Sequence, residues 1–519
     1  MAEIDAAFLS YPARELAGTA LERASELGAA HADFRLERIR VATLSLRDGQ
    51  LDSSADSEDL GLAVRVVHDG AWGFASGIAR TADAARALAE QAIATAKISR
   101  VLSSDPVVLA PEPVHADVTW ISAYDINPFD VPEAERVGRL SELSERLLAG
   151  DGVDHVDASL MQVLENKFYA DTAGTMTTQQ RVRVEPEFTA VNVDRGAGAF
   201  SSMRTLAPPG GRGWEYLIGT GWDFDAEIAE LPGLLREHVK APSVEPGSYD
   251  LVIDPSNLWL TIHESIGHAT ELDRALGYEA AYAGTSFATL DRLGTLQYGS
   301  PAMNVTGDRT VEHGLATIGY DDEGVATGQF DLIKDGVLVG YQLNRQMAHA
   351  NGARLGTTRS NGCALADSAG HIPLQRMANV SLQPAASGRP PAGGGVAGGA
   401  GPSTEELISR VERGIYVVGD RSWSIDMQRF NFQFTGQQFH RIKDGKLAGQ
   451  LRDVAYQATT TEFWGSMEAV GGPQTYVLGG AFNCGKGQPG QVAAVSHGCP
   501  SALFRNVNVL NTKAEGGAQ

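Results

Sequence analysis

Residues 251–271 read LVIDPSNLWLTIHESIGHATE, and this stretch organises the rest of the chain. The apolar run at 251–253 predicts a short buried strand. Asp254 followed by Pro255 is typical of a helix start, with an N-cap and then proline at the first helical position. The predicted helix runs through apolar residues into the segment that begins at His263, so this segment lies on a largely buried helix that follows a strand.

The segment carries the pattern H-E-x-x-x-H, formed by His263, Glu264 and His268. Neutral imidazole is the commonest protein ligand for a catalytic metal, and a carboxylate beside such a pair can act as general base on metal-bound water. On a regular α-helix five residues turn about 500°, so the two rings would diverge by about 140°. A π-bulge closes that gap, and a glycine loosens the backbone. We therefore expect a locally widened helix near Ile266 and Gly267.

A catalytic zinc ion takes three protein ligands and leaves one position open, so a third ligand must join the two imidazoles. Glu271 follows His268 by three residues and is either that ligand or a carboxylate that orients an imidazole. Buried histidines and cysteines are also common as ordinary core residues, so spacing alone leaves the choice open. The more distant candidates for the third ligand are Cys363, Cys484, His497 and Cys499.

The glycine-rich turn around Cys484 gives two further expectations. It should leave the thiolate accessible, and Lys486 should help to lower the pKa of Cys484. The same turn reads GAFNCGK over 480–486 and fits the start of a phosphate-binding P-loop. Gly487 stands where that motif needs a hydroxyl to bind Mg²⁺, so we do not expect a nucleotide site.

Composition narrows the class of protein. The chain has 519 residues, of which 43% are hydrophobic and 20% charged, enough for two or more domains. A net charge of -22 repels phosphate backbones and argues against a nucleic-acid partner. Three cysteines do not make a disulfide framework and fit a reducing compartment. Residues 1–18 lack signal-peptide features and no apolar run is long enough to span a bilayer, so we expect a cytoplasmic protein that does not bind membranes.

Helix and strand patterns are mixed without regular alternation, which predicts an α+β fold. The segment 241–247, APSVEPG, is a candidate boundary between two mixed domains. These are an N-terminal domain over 1–244 and a β-rich domain over 245–519 that carries the metal-binding helix, with a flexible Gly/Pro loop at 387–402. The local signals are helices over 11–27, 81–97, 132–148 and 224–240, hairpins at Asp69-Gly70, Asp335-Gly336 and Asp444-Gly445, and a capping box at Ser403 and Glu406.

Several short motifs, taken together and in their order along the chain, resemble one known family. They are HESIGHATE at 263–271, RMAN at 376–379, NCGKGQ at 483–488 and SHGCP at 496–500. With GLAVRV and DGAWGF within 61–74, the set is similar to the TldD branch of the TldD/PmbA metallopeptidases. The resemblance spans nearly the whole chain.

This resemblance implies a zinc-dependent peptidase. Members of the family hold the metal with two histidines and a distant cysteine, which on this sequence implies His263, His268 and Cys484, with Glu264 as general base. The partner is a TldE (PmbA) paralogue without the metal motif, and the pair encloses a chamber that admits short or unfolded peptides. The loop at 387–402 is longer than the resemblance leads one to expect, which bears on the entrance and the partner contacts.

The expected reaction is hydrolysis of peptides, with Glu264 acting on zinc-bound water and the peptide held by strand addition. Two alternatives remain. A non-catalytic regulatory protein, such as a modulator of a topoisomerase, would hold a structural zinc ion in a closed site of four protein ligands. A metal-dependent hydrolase of non-peptide amides would share the fold and differ only in its substrate.

Overall fold

The computed structural model describes residues 3–103, 105–196, 198–385 and 401–513. The loop predicted at 387–402 lies outside these ranges except for its last two residues. No helix in the described ranges is both long and apolar enough to cross a bilayer.

The N-terminal half packs helices on a long, mostly antiparallel sheet. Side chains cap its helices: the Thr81 hydroxyl accepts a hydrogen bond from the Ala84 N–H, and Asp223 accepts one from the Ala226 N–H. The elements in chain order are α1 (Ala6–Leu9), α2 (Ala13–Glu26), β1 (His31–Arg47), β2 (Gln50–His68), β3 (Ala71–Gly77), α3 (Ala82–Leu102), β4 (Val118–Ile121), α4 (Glu133–Leu148), β5 (His155–Asp171), β6 (Met176–Asp194), β7 (Ala199–Arg204) and α5 (Phe224–Lys240).

This sheet has the order β3-β2-β1-β5-β6-β4, with β7 also paired to β6. β4 runs parallel to β6, and the other pairs are antiparallel. α2 and α3 cover one part of the sheet with an apolar core, and α4 and α5 cover another. Alternate residues of the long strands face these helices, except in β2, where residues 50–59 are exposed on both faces.

The opposite face of the sheet carries buried charges in place of a second apolar layer. Arg65 of β2 donates to Asp33 of β1 at 2.8 Å and lies 3.3 Å from Glu323 of the C-terminal half. Lys167 of β5 also pairs with a residue of the C-terminal half: its Nζ lies 2.8 Å from a carboxylate oxygen of Asp322. All five side chains are buried, so ion pairs rather than apolar contacts join the two halves here.

The C-terminal half is richer in strands. Its elements in chain order are β8 (Gly247–Ile253), α6 (Pro255–Ile262), α7 (Leu272–Ala275), β9 (Val305–Asp308), β10 (Gln329–Lys334), β11 (Val337–Leu338), α8 (Arg345–Leu355), β12 (Ala364–Leu365), β13 (Leu374–Gln375), β14 (Asn379–Leu382), α9 (Thr404–Ser409), β15 (Arg413–Ile425), β16 (Asn431–Lys443), β17 (Lys446–Leu451), β18 (Val454–Thr459), α10 (Thr460–Gly465), β19 (Met467–Val470), β20 (Val477–Lys486), β21 (Gln491–Cys499) and β22 (Ala502–Asn511).

The largest sheet of this half has the order β15-β8-β22-β18-β16-β17, and β15 also pairs with β16, which closes the path into a small barrel. β19 joins β22 at the side. Separate pairings link β11-β10-β9-β14, β12 with β13, and β20 with β21. The start of α6 is fixed as predicted, since the Asp254 carboxylate accepts from the Ser256 N–H and Pro255 follows the cap. α6 packs on β14, β15, β20 and β21, so β20 and β21 lie against the helix that leads into the two histidines.

The predicted α+β class is confirmed. The helix at 224–240 has the predicted bounds, and the capping box at Ser403 and Glu406 forms as expected. The hairpin aspartates Asp335 and Asp444 adopt left-handed backbone with φ of 50° and 51°, which explains why Asp-Gly marks these turns. The division of the chain at 244/245 stays a prediction.

Replacing Arg65 by methionine should lower the free energy of unfolding by about 3–5 kcal/mol, because it leaves Asp33 and Glu323 buried without their cation. Urea denaturation monitored by circular dichroism measures the change. Arg40→Met is the matched control: Arg40 and Asp56 are 33% and 42% exposed, so that loss should be below about 1 kcal/mol. Equal effects of the two substitutions would contradict a structural role for the buried ion pairs.

Candidate metal centre

The segment that carries His263 and His268 forms a widened helical turn. α6 ends at Ile262, His263–Gly267 is π-helical, and a 3₁₀ turn follows at His268–Thr270. The extra residue brings both imidazoles to one side, with ring centroids 4.7 Å apart. The widening predicted near Ile266 and Gly267 is therefore confirmed.

Gly267 is required here by close packing. A Cβ atom at this position would lie 2.6 Å from Sδ of Met377 and 3.5 Å from a ring carbon of His497. The backbone of the turn thus approaches two neighbours that come from distant parts of the chain. Tertiary packing as well as local sequence holds the π-turn in place.

The structure brings together His263, His268 and Cys484. One ligand atom of each lies within 4.8 Å of the others, and Sγ of Cys484 is 3.8 Å from Nε2 of His268. A tetrahedral zinc ion would hold two imidazole nitrogens about 3.4 Å apart and a nitrogen and a sulfur about 3.6 Å apart. Small side-chain movements reach these separations, so the donor set fits zinc. Among the described residues no fourth Cys, His, Asp or Glu joins the group.

A chain of hydrogen bonds fixes the tautomer of His263. Nδ1 of His497 lies 2.8 Å from the Val380 carbonyl oxygen, which can only accept, so this nitrogen carries the proton. Nε2 of His497 therefore accepts from Nδ1–H of His263 at 2.7 Å. Trp259 stacks on the His497 ring at 6.3 Å. This arrangement leaves Nε2 of His263 free to bind a metal.

A charged chain fixes His268. Its Nδ1–H donates to Glu271 at 2.8 Å, and the other Glu271 oxygen accepts from Lys486 at 3.1 Å. Burial would raise the pKa of Glu271, but the charge of Lys486 and the hydrogen bond from His268 hold it well below its usual value. Of the two roles considered for Glu271, this geometry favours the carboxylate that orients an imidazole.

Burial favours the neutral forms of the His263 and His268 imidazoles and of the Cys484 thiol. Burial lowers the pKa of His263 well below its usual value and that of His268 to about 3. Burial raises the pKa of Cys484 to about 11, and the side chain is only 4% exposed. The accessible thiolate expected from the sequence is therefore wrong. Lys486 does lower the pKa of Cys484, but burial outweighs its charge, and its ammonium group is paired with Glu271 and Asp273.

Glu264 lies beside the three donors at the wall of a cleft of about 480 Å³, which the donors also line. Nη1 of Arg429 donates to Oε2 of Glu264. Burial raises the pKa of Glu264 against the charge of Arg429. Sequence analysis missed Arg429, which lies in the loop between β15 and β16 with left-handed backbone (φ 64°) and carries no periodic signal.

The remaining candidates lie outside the cluster. Cys499 is buried with Sγ 3.7 Å from the Pro255 carbonyl oxygen, and Cys363 is buried beside the Asn361 carbonyl group. His497 accepts a hydrogen bond from Nδ1 of His263, the ring nitrogen that faces away from the other donors, and so does not join them. Residues 480–486 are part of strand β20, in agreement with the expectation that they do not form a P-loop.

Two family models match the chain. Residues 246–511 match the PmbA/TldA metallopeptidase C-terminal domain, and residues 32–96 match the PmbA/TldA metallopeptidase domain 1. A metalloprotease of Methanothermobacter thermautotrophicus is 28% identical over 483 residues, which cover 93% of this chain and 96% of that protein. A zinc metalloprotease TldD homolog of Saccharolobus solfataricus is 22% identical and covers 94% and 98%.

Solved structures share the fold. TldE from Thermococcus kodakarensis superposes with a TM-score of 0.68 at 15% identity, over 95% of this chain and 99% of that one. A Thermotoga maritima protein described as a candidate modulator of a DNA gyrase has a TM-score of 0.73 at 15% identity, over 96% and 100%. At this identity the likeness concerns the fold alone.

Cys484→Ser should reduce bound zinc sharply, because a hydroxyl is a much poorer zinc ligand than a thiolate. Cys499→Ser, a buried cysteine outside the cluster, should keep zinc near the wild-type level. Metal content after dialysis, measured by mass spectrometry, compares the two. Loss of zinc from Cys499→Ser with retention in Cys484→Ser would reassign the third ligand.

His497→Leu should weaken zinc binding about 10–100-fold, because Nδ1–H of His263 loses its acceptor and the ring its orientation. His497→Gln keeps an acceptor oxygen and should recover part of the affinity. Competition with a chromogenic chelator measures both. Wild-type affinity in His497→Leu would show that the hydrogen-bonded chain does not position His263.

Proposed function

The chain belongs to the PmbA/TldD metallopeptidase family, and from this premise we propose that it is a zinc-dependent peptidase that hydrolyses short or unfolded peptides. One observation carries the proposal: His263, His268 and Cys484 converge at the wall of an open cleft, with Glu264 beside them. Two neutral imidazoles and a cysteine form a three-ligand set of the kind that catalytic zinc sites use.

Zinc, when bound, lowers the pKa of a water molecule and polarises a peptide carbonyl group. Glu264 takes the proton of the attacking water and passes it to the leaving amine. Arg429 holds the Glu264 carboxylate at the cleft wall through Oε2. His497 and Glu271 keep the two imidazoles turned so that each presents Nε2 to the cleft.

The cleft has a strand suited to holding a peptide. Among the described strands, β20 pairs with β21 alone, so no strand is paired to its second edge. Residues of β20 at 479–481 and 483–485 line the cleft. A peptide added to this edge would be held by main-chain hydrogen bonds, which impose little preference for side chains. Such binding suits unfolded peptides of varied sequence.

The proposed partner is a TldE-like subunit. The resemblance of the motifs to the TldD branch supports this assignment, and TldE itself shares the fold of the chain. Large apolar side chains also lie exposed near the cleft: Trp423 (51%) on β15 lines it, and Met427 (57%) and Tyr282 (53%) lie outside the strands. Exposed apolar groups of this size are typical of surfaces that a partner covers.

The two alternatives differ in testable ways. A closed structural zinc site needs a fourth protein ligand, and the described residues supply three donors beside a cleft. This arrangement favours catalysis over a purely structural zinc ion. A hydrolase of non-peptide amides would use the same groups, so only a screen of amide and peptide substrates separates it from a peptidase.

Glu264→Gln should retain zinc and lower the rate of peptide cleavage about 10²–10⁴-fold, because the amide cannot accept the water proton. Cleavage of an unstructured peptide by zinc-loaded protein, with and without a TldE-like subunit, measures the effect. Glu230→Gln, at an exposed position on α5, is the control and should leave the rate unchanged. Full activity in Glu264→Gln would contradict the assignment of Glu264 as the general base. Absence of cleavage by wild type under every condition would contradict the peptidase proposal.

A further inference from the structure

A second cavity lies beside the metal cleft, between the N-terminal sheet and the C-terminal half. Its volume is about 430 Å³, and residues 120–123, 181–183 and 309–320 form most of its wall. None of the three metal donors lines it. The cavity is therefore distinct from the group of metal donors.

Three buried arginines dominate this cavity. Arg181, Arg183 and Arg309 line it and are only 6%, 8% and 0% exposed. Arg181 and Arg183 both donate to the same oxygen of Glu165, at 2.7 Å and 2.8 Å. Arg309 donates to backbone carbonyl groups instead. Glu312, which also lines the cavity, has a side chain that is 73% exposed. The buried wall of the cavity thus carries an excess of positive charge.

Several donors of these arginines have no acceptor. Within the described part of the chain, Nε and Nη1 of Arg181, Nε of Arg183 and Nε of Arg309 lack a hydrogen-bond partner. Burial, together with the charge of Arg181, lowers the pKa of Arg183 to about 10. A guanidinium group pairs best with a planar anion that accepts two hydrogen bonds at once. A carboxylate in the cavity brings a negative charge and paired acceptors. The four unpaired nitrogens are themselves buried, so the guanidinium groups turn for the carboxylate to reach them.

The cavity and the metal cleft are adjacent along one strand. Residues 181, 183, 185 and 187 share one face of β6; the first two line the cavity, and Glu185 and Glu187 line the cleft. Arg183 also lies 5.9 Å from the ring of Phe482, which is two residues from Cys484 on β20. Alternate residues of a strand are about 7 Å apart, so Phe482 and Cys484 are separated by about that distance. With the contact between Arg183 and Phe482 added, an extended peptide of roughly two to four residues reaches from the metal donors to the arginines.

We propose that Arg181 and Arg183 receive the C-terminal carboxylate of a peptide whose cleaved bond lies at His263, His268 and Cys484. This inference rests on the proposed peptidase function and adds a preference for where the peptide is cleaved. Cleavage falls about two to four residues from a free C-terminus. The side-chain carboxylate of an acidic residue offers the same chemistry and is distinguished experimentally.

Binding to the zinc-loaded Glu264→Gln chain tests the inference without turnover. Calorimetry compares acetyl-hexaalanine as the free acid, as the C-terminal amide, and as an amide ending in glutamate. The free acid should bind about 10–100-fold more tightly than the amide, because it adds charge-assisted hydrogen bonds. Recovery of affinity by the glutamyl amide would show that any carboxylate suffices. Equal binding of acid and amide, or no binding of either, would overturn the proposal.

Substitution of Arg183 separates recognition from folding. In the same background, Arg183→Gln should reduce the preference for acid over amide to below about threefold, and Arg183→Lys should restore part of it. Arg195→Gln, at an exposed position outside the cavity, should leave the preference unchanged. If Arg183→Gln weakens the acid and the amide equally, the arginine is structural and the inference fails.

Cleavage by wild type is scored separately. A protein that prefers the acid in binding but cleaves neither peptide would support the carboxylate site and contradict the peptidase function. A protein that cleaves acid and amide with equal kcat/KM would keep the peptidase function and contradict the carboxylate site.

Discussion

The one-residue widening of the helix at His263–Gly267 is the constraint on which the site depends. A regular helix would turn the two imidazoles about 140° apart, and no common ion could then bind them. The turn persists because Met377 and His497 close on the backbone of Gly267. A departure from helical geometry at the ligands is thus maintained by residues more than a hundred positions away.

The two imidazoles are held in electrically different ways. His263 ends a neutral chain that runs through His497 to the Val380 carbonyl group. His268 ends a charged chain through Glu271 to Lys486. A carboxylate makes the imidazole that donates to it a stronger electron donor, whereas a neutral acceptor mainly fixes its orientation. The centre is therefore asymmetric before any substrate arrives.

Local chemistry explains what could be predicted from the sequence. The Asp254-Pro255 helix start and the capping box at Ser403 each depend on a few neighbouring residues. The widened turn could be predicted because the spacing of His263 and His268 requires it if both rings bind one metal, although distant residues hold it in place. Contacts between distant residues were not predictable in this way. Spacing alone left the third donor open among Glu271, Cys363, Cys484, His497 and Cys499, and only the family resemblance singled out Cys484.

Other features give no local signal or a misleading one. Arg429 comes from an irregular loop, so nothing in its neighbourhood in sequence marks it as a partner of Glu264. Arg35, Glu37 and Lys167 alternate with apolar residues as in a solvent-exposed strand, yet they are buried against the C-terminal half. Alternation reveals that a strand has two unlike faces, but it does not tell whether the polar face meets water or other charges.

The distance between the donors along the chain has a consequence for biosynthesis. His268 and Cys484 are separated by 216 positions along the chain. At about 5–20 residues per second, a ribosome needs roughly 10–40 s to reach the cysteine after the histidine. During that interval a nascent chain presents two imidazoles without their third donor. The donor set of His263, His268 and Cys484 is therefore complete only after the chain has been made through β20.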